Sequence, residues 1–301
     1  MQNLALRLVF SFLLLFSLNS PSFAASTPDL RISVDQLADL MAKTNVFANV
    51  FVIDARPADE YKQGHIPNAR NLPFKSTFQD LSRSGLVIAS ERAKVIFQSI
   101  GLKNDDLVVV YDGSNMVQAA RVFWMLEMNG HAKVRLLDGG LSAWTSGGQP
   151  LTTVVPPLSI SDYRTTTNRN AVKTWVDVQE AIDNPKKFTL IDARDGEHFV
   201  GLKSEAYRSG HIPTARNVPV NKNLTADGYL RPRAELRALY GTLPENGEVL
   251  VYCSKGLASS LEYFVLRDIG IKVGNYESSW MEWGNKLNLP IVPANATTTA
   301  Q

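Results

Sequence analysis

The chain contains the same sequence motifs twice, in the same order. Residues 49–73 read NVFVIDARPADEYKQGHIPNARNLP, and residues 188–219 read FTLIDARDGEHFVGLKSEAYRSGHIPTARNVP. Both stretches hold I-D-A-R, G-H-I-P and A-R-N-x-P, and residues 105–126 align in the same way with residues 247–266. Because repetition over this length reports a duplicated structural unit, the chain is constrained to fold as two similar domains.

Each unit alternates short apolar strands with helices. FVID and LVVVYD are β-branched apolar runs of the first unit, and TLID and VLVYC hold the same places in the second. Helical patterns lie before and between these runs, such as SVDQLADLMA with Ser33 as its N-cap. This alternation predicts an α/β fold in which each domain has a mostly parallel sheet with helices on both faces. The Pro/Thr-rich segment 147–168 predicts a linker, so we expect domains at residues 25–157 and 158–301.

The first 24 residues have the pattern of a secretory signal peptide. Arg7 precedes an apolar run from Leu8 to Leu18, and small residues surround Ala24. A membrane anchor is the alternative, but the run is shorter than the roughly 18 to 20 apolar residues that a spanning helix needs. We therefore expect cleavage after Ala24 and a periplasmic or secreted mature protein, with no membrane contact afterwards.

The composition describes a globular protein and excludes several kinds of partner. Hydrophobic residues make up 45% of the chain, the net charge is +2, and the basic residues form no stripe or tail. Nucleic acid and anionic membrane surfaces are therefore not expected partners. The sequence also shows no cluster of metal-ligating residues, so we expect neither a metal nor an organic cofactor.

Cys253 is the sole cysteine of the chain. It follows a buried strand and precedes an amphipathic helix, which is where ligands bind in doubly wound sheets. The turn CSKGLAS has small residues that let backbone N–H groups form an anion-binding nest at the helix N-terminus, and Lys255 adds a positive charge. This environment stabilises a thiolate.

An inert buried cysteine is the alternative interpretation of Cys253. The matching position in the first unit is Asp112, whereas a cysteine kept for packing should be matched by an apolar residue. The difference favours one reactive loop and one unreactive loop, and hence a single active site.

These residues resemble the tandem rhodanese-domain sulfurtransferases, a family that includes thiosulfate and 3-mercaptopyruvate sulfurtransferases. The resemblance covers about residues 30–293 and rests on the paired I-D-A-R and G-H-I-P motifs, the Y-D-G loop, the D-G-G-x-x-x-W stretch and the Y-C-x-x-G loop. It implies an inactive amino-terminal domain, a catalytic carboxyl-terminal domain and a Cys253 persulfide. The expected reaction moves a sulfane sulfur from a small donor to cyanide or a thiol.

The resemblance also implies a set of substrate-binding residues. Arg194 matches an arginine that faces the reactive cysteine and binds the anionic part of the donor; a structural ion pair is the alternative. Arg208, in the insertion LKSEAYR of the second unit, is expected near the mouth of the site. The loop completes the predicted substrate-binding set with Ser254, Lys255, Gly256, Leu257 and Ala258.

The reactive loop departs from the family pattern, which often reads C-R-K-G-V-T or C-G-S-G-V-T. Here Ser254 stands where an arginine is common, and Ala258 lacks a hydroxyl for which Ser259 is a candidate replacement. These departures keep open a second hypothesis, a non-catalytic secreted module that carries sulfur or binds a partner. A cysteine phosphatase with a C-x5-R loop is a third, and Ser259 at the arginine position argues against it.

Lys255 bears on the identity of the donor. In the family resemblance, the thiosulfate type carries lysine at the third loop position and the mercaptopyruvate type carries serine. We therefore predict that thiosulfate is preferred over 3-mercaptopyruvate, although Ser254 removes a second charge that would favour it. We further expect a monomer that acts on a small-molecule donor and acceptor.

Overall fold

The computed structural model describes residues 29–43, 50–81, 85–243 and 247–294. The predicted signal peptide, residues 1–24, lies outside the described residues. Within the described ranges, no helix combines the length and the apolar character needed to cross a bilayer. Two sheets of identical topology confirm the predicted α/β fold with two repeated domains.

In the described part of the first domain, parallel strands form one five-stranded sheet. Its strands are β1 (Arg31–Ile32), β2 (Val50–Asp54), β3 (Arg70–Asn71), β4 (Leu107–Tyr111) and β5 (Val134–Leu137). The helices are α1 (Val34–Ala42), α2 (Ala58–Gln63), α3 (Ser90–Ser99), α4 (Val117–Met128) and α5 (Gly140–Ser146). The strand order β1-β5-β4-β2-β3 places β4 at the centre of the sheet.

The second domain repeats this plan. Its strands are β6 (Val172–Lys173), β7 (Phe188–Asp192), β8 (Arg216–Asn217), β9 (Glu248–Tyr252) and β10 (Val273–Tyr276). Its helices are α6 (Trp175–Asp183), α7 (Gly196–Phe199), α8 (Arg233–Tyr240), α9 (Ala258–Asp268) and α10 (Ser279–Trp283). The order β6-β10-β9-β7-β8, again with parallel pairing, places β9 at the centre.

The central strands β4 and β9 lead directly to the two equivalent loops. Every residue of β9 is buried, and β4 is buried from its second residue onward. A central strand of a parallel sheet is covered on both faces, which explains why LVVVY and VLVY are continuous apolar runs. Asp112 and Cys253 therefore emerge at the carboxyl ends of equivalent buried strands.

Helices α4 and α9 pack against each other and join the two domains. Both helices are buried on nearly all sides, and their side chains belong to one hydrophobic cluster. Phe123 and Phe264 meet edge to face with their ring centroids 4.9 Å apart. Glu127 forms an ion pair with Arg267 at 3.1 Å across the same contact. The loop that contains Cys253 precedes α9, so this packing brings the loop next to the amino-terminal domain.

The segment around the predicted boundary at Pro157 lies against the amino-terminal domain. Thr152 forms an isolated β-bridge with His65. Farther along the chain, Tyr163 is buried and its hydroxyl lies 3.1 Å from Nδ1 of His131. The chain therefore stays on the first domain for several residues beyond Pro157 before it enters β6.

The repeated G-H-I-P motif forms the same turn in both domains. Nδ1 of His65 lies 2.9 Å from the Tyr61 carbonyl, and Nδ1 of His211 lies 2.8 Å from the Phe199 carbonyl. Each imidazole also stacks on an aromatic ring, with a centroid distance of 3.8 Å in both cases. Burial lowers the pKa of His211 and so favours its neutral form. These histidines hold turns in place.

Candidate active site

The Cys253 loop connects the buried strand β9 to helix α9 in five residues, from Cys253 to Leu257. Gly256 makes this sharp turn possible because its φ is +75° and a Cβ there would lie 2.3 Å from the Glu277 carbonyl oxygen. An L-residue with a side chain would meet both backbone strain and a steric clash. The glycine thus lets the loop close tightly around the sulfur.

The Cys253 sulfur lies inside this turn, and the residue is 3% exposed. The Gly256 N–H donates to Sγ at 3.1 Å. The backbone of Cys253 is fixed on both sides, since its N–H donates to Oγ of Ser279 at 3.1 Å and its carbonyl accepts from the Trp280 N–H at 2.9 Å. Loop and sulfur are therefore held in one arrangement by α10.

A cavity of about 520 Å³ opens in front of the cysteine. Both domains line it, because Leu81 and Val117 come from the amino-terminal domain. From the carboxyl-terminal domain the lining residues are Ala193, Arg194, Asp195, His198, Glu205, Pro219, Val220, Asn221, Cys253, Ser254, Lys255, Leu257 and Ala258. The largely buried Cys253 lines this cavity, so a small molecule that enters it can approach the thiol.

In the equivalent loop of the first domain, the Asp112 side chain occupies the space inside the turn. The Asp112 carboxylate accepts backbone hydrogen bonds from Met116 at 3.0 Å, Gln118 at 2.9 Å and Ala119 at 3.1 Å. Burial raises the pKa of Asp112, although these N–H groups oppose the increase. The carboxylate therefore occupies the anion-binding nest internally, and the first loop has no sulfur nucleophile.

The domain profile described as Rhodanese-like domain matches the chain twice, at residues 33–147 and 174–286. The chain belongs to the rhodanese family. The two matched ranges correspond to the two sheets with their helices, so both halves of the duplication are rhodanese domains.

Relatives with curated names agree with this assignment. The chain is 36% identical over 246 residues to the sulfur carrier protein TtuD of Thermus thermophilus, and the alignment covers 77% of this chain and 86% of that protein. It is 34% identical over 243 residues to a Saccharopolyspora erythraea protein provisionally named thiosulfate sulfurtransferase, which covers 77% and 85%. Among solved structures, the 3-mercaptopyruvate sulfurtransferase SseA of Escherichia coli matches with a TM-score of 0.74 and 28% identity, which covers 83% of this chain and 98% of that one. The protein is a sulfurtransferase of the thiosulfate or mercaptopyruvate type.

In the loop from Cys253 to Leu257, the predicted residues Ser254 and Lys255 line the cavity, and their polar groups form hydrogen bonds within the protein. Ser254 lines the cavity and its Oγ donates to Oε2 of Glu205 at 2.9 Å. Lys255 also lines the cavity, and its Nζ donates to the Leu81 carbonyl of the other domain at 3.2 Å. Lys255 is therefore held at the side of the cavity where the two domains meet.

The remaining loop residues divide into two groups. Leu257 and Ala258 line the cavity, whereas the N–H of Gly256 donates a hydrogen bond to the Cys253 sulfur. Ser259 is fully buried, and its Oγ donates to Oδ1 of Asn275 at 2.8 Å. Because its hydroxyl is engaged in the core, Ser259 does not replace the one that Ala258 lacks.

Arg194 lies at the cavity and is also the partner of Asp192. Its Nη2 lies 2.6 Å from Oδ2 of Asp192 and donates to the Gly210 carbonyl at 2.8 Å. Although burial disfavours the charge, the Asp192 carboxylate holds the pKa of Arg194 above its ordinary value. Arg56 pairs with Asp54 at the same 2.6 Å in the first domain, so the ion pair belongs to the duplicated scaffold.

One polar atom of Arg194 has no partner in the described part of the chain. Its Nη1 is buried and has no hydrogen-bond partner among the described residues. Buried polar atoms without partners are rare in folded proteins. The ion pair with Asp192 gives Arg194 a structural role, and its donor-binding role stays a prediction with which the unpartnered Nη1 is consistent.

Arg208 does not reach the cavity. Its guanidinium donates to four backbone carbonyls at and beyond the end of α10, those of Trp283, Gly284, Lys286 and Leu289. Burial lowers the pKa of Arg208. The expectation that Arg208 contacts substrate from the mouth of the site is replaced by a structural role, because its donors already bond to the carbonyls that end the helix.

Three ionisable cavity residues, Asp195, His198 and Glu205, were not predicted from the sequence. Nδ1 of His198 lies 2.8 Å from Oδ1 of Asp195, and its Nε2 lies 3.3 Å from Oε1 of Glu205. Hydrogen bonds from His198 lower the pKa of Asp195. Glu205 belongs to the insertion LKSEAYR, which places this glutamate between the basic residues Lys203 and Arg208. Successive polar contacts thus connect the insertion to the loop, from Asp195 through His198 and Glu205 to Ser254.

Proposed function

We propose that the protein moves a sulfane sulfur from thiosulfate to a thiophilic acceptor, such as cyanide or a thiol, through a Cys253 persulfide. The observation that carries this proposal is the Cys253 sulfur at the base of a cavity of about 520 Å³, with the Gly256 N–H directed at it. In the matching loop of the first domain the Asp112 carboxylate fills the nest. The chain therefore has one site suited to sulfur chemistry.

The reaction takes place in two displacements. The Cys253 thiolate attacks the outer sulfur of thiosulfate, a new S–S bond forms, and sulfite leaves with the electron pair of the broken S–S bond. The acceptor then attacks the outer sulfur of the persulfide, and Cys253 leaves as a thiolate. Both steps place negative charge on sulfur beside loop N–H groups, which is the charge that fixed dipoles stabilise.

The cations at the cavity support thiosulfate as the preferred donor. Lys255 and Arg194 both line the cavity, and Nη1 of Arg194 has no hydrogen-bond partner among the described residues. Charge-assisted hydrogen bonds of this kind favour a doubly charged oxyanion. The carboxylates of Asp195 and Glu205 also line the cavity, where His198 lies between them.

A second candidate function is sulfur carriage without rapid turnover. The relative from Thermus thermophilus is named a sulfur carrier protein, and Ser254 and Ala258 depart from the loops common in the family. In this case Cys253 would hold the persulfide sulfur until a protein acceptor takes it. The two candidates share the persulfide and differ in how quickly cyanide removes it.

We also propose that the mature protein acts outside the cytoplasm, in the periplasm or as a secreted protein. The support is the apolar stretch that precedes Ala24. Amino-terminal sequencing of protein recovered from the periplasmic fraction or the medium should give a chain that begins at Ala25. An intact chain that starts at Met1 in the membrane fraction would contradict the proposal.

Mass spectrometry tests the proposed reaction directly. After incubation with thiosulfate, the wild-type protein should gain one sulfur atom on the peptide that contains Cys253, and Cys253→Ser should gain none. Addition of cyanide should remove the sulfur and release thiocyanate over many turnovers. A stable adduct that cyanide does not remove would support the carrier, and failure to form any adduct would refute both candidates.

A further inference from the structure

Arg121 is a buried charged residue of the amino-terminal domain that lies directly behind the catalytic loop. It belongs to α4 and is 0% exposed. Its Nη1 donates to the Gly256 carbonyl at 3.1 Å, its Nη2 to the Gly85 carbonyl at 3.1 Å, and its Nε to Oγ1 of Thr77 at 3.1 Å. A side chain of the non-catalytic domain thus holds a backbone atom three residues beyond Cys253.

Gly85, whose carbonyl accepts a hydrogen bond from Arg121, packs equally closely on the loop that contains Cys253. A Cβ on Gly85 would lie 2.5 Å from the Lys255 carbonyl oxygen, so the two backbones are in direct contact. A Cβ on Gly256 would lie 2.9 Å from Nη1 of Arg121 itself. This close approach leaves no space for water between the guanidinium and the loop.

The charge on Arg121 is compensated in an unusual way. Burial lowers the pKa of Arg121 to about 10, and the acidic groups that oppose this decrease are Glu277 and Cys253. The Glu277 carboxylate already accepts the Val87 N–H at 2.6 Å, and burial raises the pKa of Glu277. A buried cation normally requires a nearby anion. The Cys253 sulfur, as thiolate or persulfide, supplies negative charge on the loop that Arg121 contacts.

Arg121 also determines the direction of a peptide group in the loop. The Gly256 carbonyl accepts hydrogen bonds from Arg121 and from Oγ of Ser260, the latter at 2.7 Å. In a trans peptide the N–H points opposite to the C=O, so the Leu257 N–H points away from Arg121. Leu257 lines the cavity in front of Cys253. The guanidinium therefore turns a loop N–H away from the domain interface.

We propose that Arg121 is a positioning residue for sulfur transfer, which orients the Gly256–Leu257 peptide and supplies the buried positive charge that stabilises anionic sulfur on Cys253. The inference rests on the proposed persulfide function. It gives the non-catalytic domain a direct part in the reaction of the other domain, since that domain contributes Arg121 behind the loop and the Leu81 carbonyl beside it.

The test uses the full chain and two variants, Arg121→Gln and Arg121→Lys. Because Cys253 is the sole cysteine, the rate of iodoacetamide alkylation against pH reports on this one sulfur. For Arg121→Gln we expect the midpoint of that profile to move upward by about one pH unit, kcat with thiosulfate to fall about tenfold and KM to change little. Arg121→Lys keeps the charge but not the forked geometry, so its midpoint should stay near that of the wild type while kcat falls.

Arg267→Gln is the matched control, because it removes an arginine from the same interdomain contact, where its partner is Glu127. Its alkylation profile and kcat should equal those of the wild type. A folded Arg121→Gln protein with wild-type midpoint and kcat would overturn the proposal. If the glutamine variant does not fold, Arg121→Lys decides, since an unchanged kcat would rule out orientation of the loop.

These measurements separate this inference from the proposed function. If the wild-type protein forms no persulfide with thiosulfate, the proposed function fails, whatever the variants do. If the persulfide forms in the wild type and the folded Arg121 variants alkylate and turn over as the wild type does, the role of Arg121 fails alone.

Discussion

The Asp112 carboxylate and the Cys253 sulfur occupy equivalent positions at the ends of the two central strands, but they use the surrounding backbone differently. The Asp112 carboxylate accepts hydrogen bonds from the N–H groups of Met116, Gln118 and Ala119. Cys253 accepts the Gly256 N–H and faces a cavity. Duplication supplied two anion-binding loops, and the side chain at one position determined which of them could meet a substrate.

The first prediction compares these two positions by mutation. Cys253→Ser should abolish thiocyanate formation from thiosulfate and cyanide, because an oxygen nucleophile cannot form a persulfide. Its melting temperature should match that of the wild type, since a serine fits the same space. The measurement is steady-state turnover together with thermal unfolding of the same samples.

Asp112→Ala is the paired variant. It should keep turnover within a few fold of the wild type, but it leaves three N–H groups, two of them buried, without an acceptor. Loss of such partners should lower the free energy of unfolding by roughly 2 kcal/mol or more. Equal losses of turnover in the two folded variants would contradict the assignment of a single active site.

The second prediction concerns Lys255 and the choice of donor. Lys255→Ser should lower kcat/KM for thiosulfate by about tenfold, equivalent to about 1.4 kcal/mol of transition-state stabilisation, and should affect 3-mercaptopyruvate less. The reason is that a dianion depends more on the loop cation than a monocarboxylate does. Comparable losses on both donors would assign Lys255 a general electrostatic role, and a wild-type preference for 3-mercaptopyruvate would overturn thiosulfate as the preferred donor.

The third prediction uses the repeated ion pair as its own control. Arg194→Lys should raise KM for thiosulfate by about tenfold, because it removes the unpartnered Nη1 at the cavity. Arg56→Lys makes the same change in the first domain, where Arg56 pairs with Asp54 at 2.6 Å. Both variants should lose similar stability, but Arg56→Lys should leave KM unchanged. A similar increase of KM in both would show that the ion pair acts through the fold alone.

The fourth prediction concerns pH and the buried carboxyl of Glu262 in α9. Burial raises the pKa of Glu262 from 4.5 to about 8, while Tyr240 and Asn223 donate hydrogen bonds to it. The unfolded chain releases this proton near pH 4.5 and the folded protein near pH 8, so stability is lost as pH rises between these values and is constant above them. Glu262→Gln removes this titration.

The free energies of unfolding of both proteins, measured by urea denaturation from pH 4 to 9, check this prediction. The advantage of Glu262→Gln over the wild type should grow between about pH 5 and pH 8 and reach a few kcal/mol. An advantage that does not change with pH would mean that Glu262 does not titrate in this range. Sulfur transfer by the variant should stay at the wild-type level at pH 6, where Glu262 is still protonated in the folded wild type.

The order of residues alone determined the architecture and the place of the cysteine in it. The repeated motifs predicted two domains, the alternation of apolar runs with helical patterns predicted parallel sheets, and the position of Cys253 after VLVY predicted a thiol in a strand-to-helix loop. These features depend on local periodicity and on backbone geometry, both of which neighbouring residues encode.

The tertiary structure decided which distant side chains share the cavity. Arg208 is close to Arg194 in the sequence, yet it bonds to the carbonyls at the end of α10, whereas Glu205 from the same insertion bonds to Ser254. Arg121 lies 135 positions before Gly256 in the chain and contacts it through the packing of α4 on α9. Such contacts depend on how two domains pack, and no periodicity along a single chain records that relationship.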